Sequence, residues 1–212
     1  MSCAVALSQW LAQYQQRYQQ TLHECPRYYS HGEPSLCRQQ DESEPVQWCH
    51  VARSESGSFD NVRQALGIEL HSDIEAFYGS HWAGSLHFDA AWGVGELLQV
   101  WNEDDFIRLQ QNLIGHLMMK RKLKQATSWF IGVTETGDEM ICVKDEDGSV
   151  WLEQPGKEPL TLLAPSISAF LQQIQPRVAP AVEHVEEDMS AVSHPGIFAS
   201  LRRMWHNLFG SK

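Results

Sequence analysis

Positive charge is scarce in this 212-residue sequence: 16 Lys and Arg stand against 27 Asp and Glu, for a formal charge of −11. That balance excludes a protein that grips phosphate backbones, so no nucleic-acid partner is expected, and it points to basic partners. Long apolar runs are also missing. No stretch approaches the roughly 18 apolar residues that would span a bilayer, so any membrane contact is peripheral. Cysteine is sparse and odd in number, with Cys3, Cys25, Cys37, Cys49 and Cys142 widely spaced. The opening "MSCAVALSQWLAQYQQRYQQ" lacks the basic start and long apolar run of a signal peptide. Both features suit a reducing, cytoplasmic compartment.

Catalytic signatures are absent too. There is no G-x-S-x-G, no P-loop and no G-x-G-x-x-G, and "WGVGE" is too short to mean more than a turn. His23, Cys25, His31, Cys37, Cys49 and His50 crowd the first 50 residues, but no pair has C-x-x-C or H-E-x-x-H spacing. They read as surface histidines and half-buried thiols, with no metal and no cofactor. Carboxylates are plentiful and no pair is singled out for acid–base work. Neither an enzyme nor a small-molecule substrate is expected.

What is present is an ordinary globular composition, 42% apolar, and enough chain for one main domain. Trp10, Leu11, Tyr14, Tyr18 and Leu22 recur at helical spacing, which predicts a helix over 8–22 capped by Ser8. Residues 24–44, rich in Pro, Gly and Ser, read as irregular, and "VQWCHVAR" (46–53) as a strand. Asp60 caps a short helix that Gly67 ends, and Ser72 with Glu75 forms a capping box for another carrying Ile74, Phe77 and Tyr78. "SLHFDAAWGVGELLQVW" suggests a hairpin whose second strand runs through Leu97, Leu98 and Val100. After a long helix, turns at Thr136–Gly137–Asp138, Asp147–Gly148 and Pro155–Gly156 separate three or four strands of a meander. Ser166 caps a closing helix over 166–174. The order predicts an α+β domain, helices packed on one antiparallel or mixed sheet.

The long helix, "NEDDFIRLQQNLIGHLMMKRKLK" (102–124), has a charge gradient. Asn102 caps it, Glu103, Asp104 and Asp105 meet the positive end of its dipole, and Lys120, Arg121, Lys122 and Lys124 meet the negative end. Phe106, Leu109, Leu113 and Leu117 form its core face, with Ile114 beside them. Residues 1–116 carry 15 acids and 6 basic residues, while 117–124 carry four basic residues and no acid.

Residues 177–195 read as a flexible acidic linker. Residues 196–212 then place Ile197, Phe198, Leu201, Met204, Trp205, Leu208 and Phe209 on one helical face, with Arg202 and Arg203 opposite. Three destinations stay open for this amphipathic helix: its own domain, a partner groove, or an anionic lipid interface contacted by Phe198, Leu201, Arg202, Arg203, Trp205 and Phe209.

"LLQVWNEDDFIRLQQNLIGHLMMKRKLK", with W-x-E-D-D-F, N-L-I-G-H-L and K-R-x-L-K in that order, resembles the Syd family of SecY-interacting proteins of gamma-proteobacteria. "FDNVRQALGIELHSDIEAFYGSHWAGSLH" and "LAPSISAFLQQIQP" extend the resemblance over about 8–176. It implies a SUKH-like α+β fold over 1–176, no enzyme activity, and a peripheral protein on the cytoplasmic side of the inner membrane. There it would bind SecY, the channel subunit of the translocation machinery, and monitor or regulate its assembly through a concave acidic groove that receives basic loops. Glu103, Asp104 and Asp105 match the family's E-D-D motif. Asp89 and Glu96 are placed in or near that surface by charge, and Glu69, Asp73 and Trp101 are placed there too. The extension after Pro176 departs from the family pattern. The rival reading is a SUKH-type immunity module that neutralises a basic toxin with the same surface.

Overall fold

The first helix, α1 (Cys3–Leu22), is longer than its aromatic stripe suggests. It begins after Ser2 rather than at Ser8, because Cys3, Ala6 and Leu7 continue the buried face that Trp10, Leu11, Tyr14 and Tyr18 define. His23 ends it in the left-handed region at φ 57°. The computed structural model describes residues 1–39, 43–135 and 139–181. The expected turn at 136–138 and the amphipathic tail, including Phe198, Leu201, Arg202, Arg203, Trp205 and Phe209, lie outside the described residues.

The segment expected to be one strand over 46–53 divides in two. β1 (Arg27–Tyr28), inside the stretch read as irregular, pairs with β2 (Val46–Gln47), while β3 (Val51–Ala52) pairs with β4 (His81–Trp82). Between β3 and β4 lie α2 (Asp60–Leu66) and α3 (Ser72–Gly79). Gly67 stops α2 at φ 64°, as its sequence position predicts. The cap of α3 is different: His71, not Ser72, precedes the helix and its ring nitrogen accepts from the Asp73 amide. Glu75 instead turns to Arg63, which also holds Asp60 and Glu69.

Seven strands form the main sheet: β5 (Leu86–Ala90), β6 (Gly93–Leu97), β7 (Ser128–Thr134), β8 (Met140–Lys144), β9 (Val150–Glu153), β10 (Thr161–Ala164) and β11 (Gln175–Pro176). Their order is β10-β9-β8-β7-β6-β5-β11, and every pairing is antiparallel. This is the predicted α+β architecture, with the predicted meander. β6 ends at Leu97, so Leu98 and Val100, expected in this strand, lie beyond it. Gly132 lies where an added Cβ would come 2.5 Å from the Glu96 carbonyl oxygen, so only glycine fits between β6 and β7.

Two helical layers cover this sheet. α1 packs against α5 (Ile167–Gln173), capped by Ser166 as expected, and Phe88 of β5 meets Phe170 of α5 edge-on at 5.9 Å. α4 (Glu103–Lys122) lies against β7, with Phe106, Leu109, Leu113 and Leu117 buried and Ile114 half-buried. Lys120 departs from its expected role at the helix end: it is 2% exposed and reaches Glu153 of β9 at 2.7 Å.

One cross-strand row links the layers. His87, Glu96, Val133, Met140 and Glu153 are successive register partners from β5 to β9, so their side chains share one face. At the Glu153 end that face is closed by α4. At the His87 and Glu96 end both residues are only half-buried.

Candidate partner-binding surface

Alternation along β5 sends Leu86 and Phe88 into the core and leaves His87 and Asp89 on the other face. Register then sets Glu96 directly opposite His87, and Asp89 on the diagonal, roughly 7 Å away between Cα atoms. Two of the candidate acids are therefore neighbours on one face of the sheet, Asp89 exposed and Glu96 half-buried.

The start of α4 supplies the rest. Asn102 Oδ1 accepts from the Asp105 amide at 2.9 Å, the predicted cap, and Asp105 Oδ2 accepts from the Trp101 amide at 2.8 Å. These bonds fix the three acids at the helix mouth: Glu103 and Asp104 exposed, Asp105 half-buried. Trp101 is 1% exposed, its ring tilted 36° against that of Tyr28 at 4.8 Å between ring centres. It underlies the surface and does not face a partner.

Tyr28 marks where the strand and helix acids converge. Burial pushes its phenol well above the ordinary range, and the carboxylates of Asp105, Glu96 and Glu44 add to that push against the opposing Arg108. Three carboxylates from a helix, a strand and a loop thus act on one hydroxyl. Glu44 also accepts from the amides of Ser30 and His31. Neither Tyr28 nor Glu44 was legible as part of the surface, since both lie in a segment without periodicity.

Arginines temper most of this acidity. Asp105 pairs with Arg108 at 3.0 Å, Glu103 with Arg53 at 3.3 Å, and Asp89 lies 3.9 Å from Arg177, which binds Glu135 at 2.7 Å. Arg53 is itself held 3.8 Å over the Trp82 ring and 4.6 Å over Phe106. Among the described residues Glu96 and Asp104 have no ion-pair partner. Their charge is the least compensated of the set.

Glu69 and Asp73 stand elsewhere. Glu69 binds Arg63, and the neighbouring Leu66 carbonyl accepts from Arg121, near the far end of α4. At 1.5 Å per residue that end is about 25 Å from the acidic start. Asp73 sits beside the buried thiol of Cys3, which donates to its carbonyl at 3.4 Å. The structure does not bring these two to the Tyr28 cluster.

Among the described residues one group of three has metal-ligand chemistry: His116, Cys142 and Glu153, all buried. Its carboxylate is already bound by the Lys120 ammonium at 2.7 Å and the Ser128 hydroxyl at 2.7 Å. An ammonium in that place opposes a second cation, so the cluster is a core ion-pair network. His23, Cys25, His31, Cys37, Cys49 and His50 do not form such a group.

The family model described as "Syd protein (SUKH-2)" matches residues 4–176. The chain belongs to the Syd family. Relatives named "Protein Syd" are 56% identical over 216 residues in Shewanella sp. strain MR-7, covering all of both chains, and 53% identical over 214 residues in Shewanella putrefaciens, covering 99% of each. Another in Shewanella baltica is 53% identical over 216 residues and the full length of both chains. The extension beyond Pro176 therefore lies outside the Syd family model but inside the span aligned with these relatives. Among the described residues no helix is long and apolar enough to cross a membrane.

Proposed function

We propose that the chain binds the SecY subunit of the protein translocation channel at the cytoplasmic face of the inner membrane, where it monitors or regulates SecY assembly. The observation that carries this reading is that the fold leaves carboxylates at the open end of the sheet row and at the exposed start of α4, Glu96 and Asp104, without an ion-pair partner among the described residues. Cytoplasmic loops of membrane proteins carry excess Lys and Arg, and an acidic site attracts them over about a Debye length, roughly 8 Å at physiological salt. Complementary charge of this kind chiefly supplies orientation and association rate.

Glu96 and Asp104 make the first contacts, since no described arginine competes for them. Asp89, Glu103 and Asp105 exchange Arg177, Arg53 and Arg108 for the basic residues of the loop. The tail adds a weak contact with anionic lipid through Arg202, Arg203, Trp205 and Phe209, which raises the effective concentration of the acidic surface at the channel.

The test is binding of the purified protein to SecY-containing membranes, with Glu96→Gln/Asp104→Asn as the variant. Each substitution keeps its side chain's shape and removes its charge. Association slower by about tenfold at low salt, converging with wild type at high salt, supports the reading. Equal binding at both salt concentrations overturns it.

A further inference from the structure

The antiparallel register of β1 and β2 pairs Arg27 with Gln47 and Tyr28 with Val46. Continued outward, the same register sets Pro26 opposite Trp48 and Cys25 opposite Cys49. The Trp48 amide donates to the Pro26 carbonyl at 3.0 Å, which makes that position the hydrogen-bonded pair. Cys25 and Cys49 therefore occupy the adjacent non-hydrogen-bonded position, where Cα atoms are about 4.5 Å apart and side chains lie closest. That separation falls within the range disulfides span. Their sulfurs are 3.3 Å apart, and both thiols are half-buried, in reach of solvent.

We propose that Cys25 and Cys49 are a dithiol modification site, converted to a cross-strand disulfide by exchange with a low-molecular-weight disulfide of the glutathione type. Burial, together with the adjoining Cys25 thiol, pushes the Cys49 thiol up. The Cys25 thiolate bonds to one sulfur of the small disulfide, whose S–S bond breaks to release one thiolate. Cys49 then attacks the Cys25 sulfur as its proton passes to the released thiolate. The second small thiol leaves with the electron pair of the mixed disulfide and takes up the proton Cys25 had lost to solvent. Two protein thiols are oxidised and one small disulfide is reduced to two thiols.

Two thiolates alone make a poor metal site, and the third nearby cysteine is turned inward: Cys37 is 0% exposed. The bond would tie together the strand that carries Tyr28 and the end of β2. One face of the acidic surface would then be covalently held.

The experiment incubates the full-length folded protein with oxidised glutathione, blocks remaining thiols with an alkylating agent, and maps peptides by mass spectrometry. The expected product is a Cys25–Cys49 cross-linked peptide with two thiols lost per chain. Cys49→Ser should stop at a glutathione adduct on Cys25, and Cys37→Ser should still form the bridge, with circular dichroism showing each variant folded. Recovery of Cys25 and Cys49 as free alkylated thiols, or a bridge between other cysteines, overturns the proposal.

Discussion

The Lys120 ammonium meets the Glu153 carboxylate at 2.7 Å, with side chains 3% and 1% exposed, joining α4 to the sheet inside the core. Removing one partner strands a buried charge, whereas removing both leaves only a packing change. Lys120→Met should therefore cost about 3–5 kcal/mol in urea unfolding, and Lys120→Met/Glu153→Leu clearly less. A double variant as unstable as the single one would show that the pair's partners, not its charges, set the cost.

His116 stacks edge-on to Phe130, and burial, with Lys120 near it, lowers its pKa from 6.5 to about 3. The folded protein keeps this ring neutral while the unfolded chain protonates it below 6.5. Stability is full above that pH and falls between 6.5 and about 3, by roughly 1.4 kcal/mol per pH unit. His116→Phe should flatten the dependence between pH 6.5 and 5. Parallel slopes for wild type and variant, by urea denaturation at each pH, would assign the acid sensitivity to other groups.

The acids at the start of α4 should separate by role. Asp105 holds the Trp101 amide and Arg108, so Asp105→Ala should cost about 1–3 kcal/mol of stability. Asp104, exposed and without an ion-pair partner among the described residues, should cost under about 0.5 kcal/mol as Asp104→Ala yet weaken membrane association. Thermal melts and SecY-membrane binding on the same two variants check both halves.

The tail can be tested by truncation, and the structure says where to cut. Tyr18 Oη donates to the Ala179 carbonyl at 2.9 Å and accepts from its amide at 3.0 Å, so the packed chain continues beyond Pro176. A protein ending at Ala181 keeps these bonds. Full-length protein should float with vesicles containing anionic lipid and the 1–181 form should not; equal flotation removes the lipid contact.

Wherever a short-range rule decides, the sequence carried the answer. The Asn102 and Ser166 caps, the Gly67 stop, the core face of α4 and the meander of three or four strands, four in the structure, all follow from local period and local hydrogen bonding. Local rules failed where another residue competed. His71 took the cap expected of Ser72, because its ring reaches the Asp73 amide while Asp145 holds its own.

Lys120 reads as one more basic residue at a helix end, because nothing nearby in sequence announces Glu153. The acids divide in the same way. The E-D-D start of α4 is local and legible, and its dipole role follows from position alone. Only strand register sets Glu96 opposite His87, and only packing brings it with Asp105 and Glu44 to Tyr28 while leaving Glu69 and Asp73 outside. The sequence by itself determined the elements, their order and the excess of acid, since these depend on neighbours in the chain. Tertiary structure decided which acids are paired, buried or free, because charge interactions depend on distance in space and on burial.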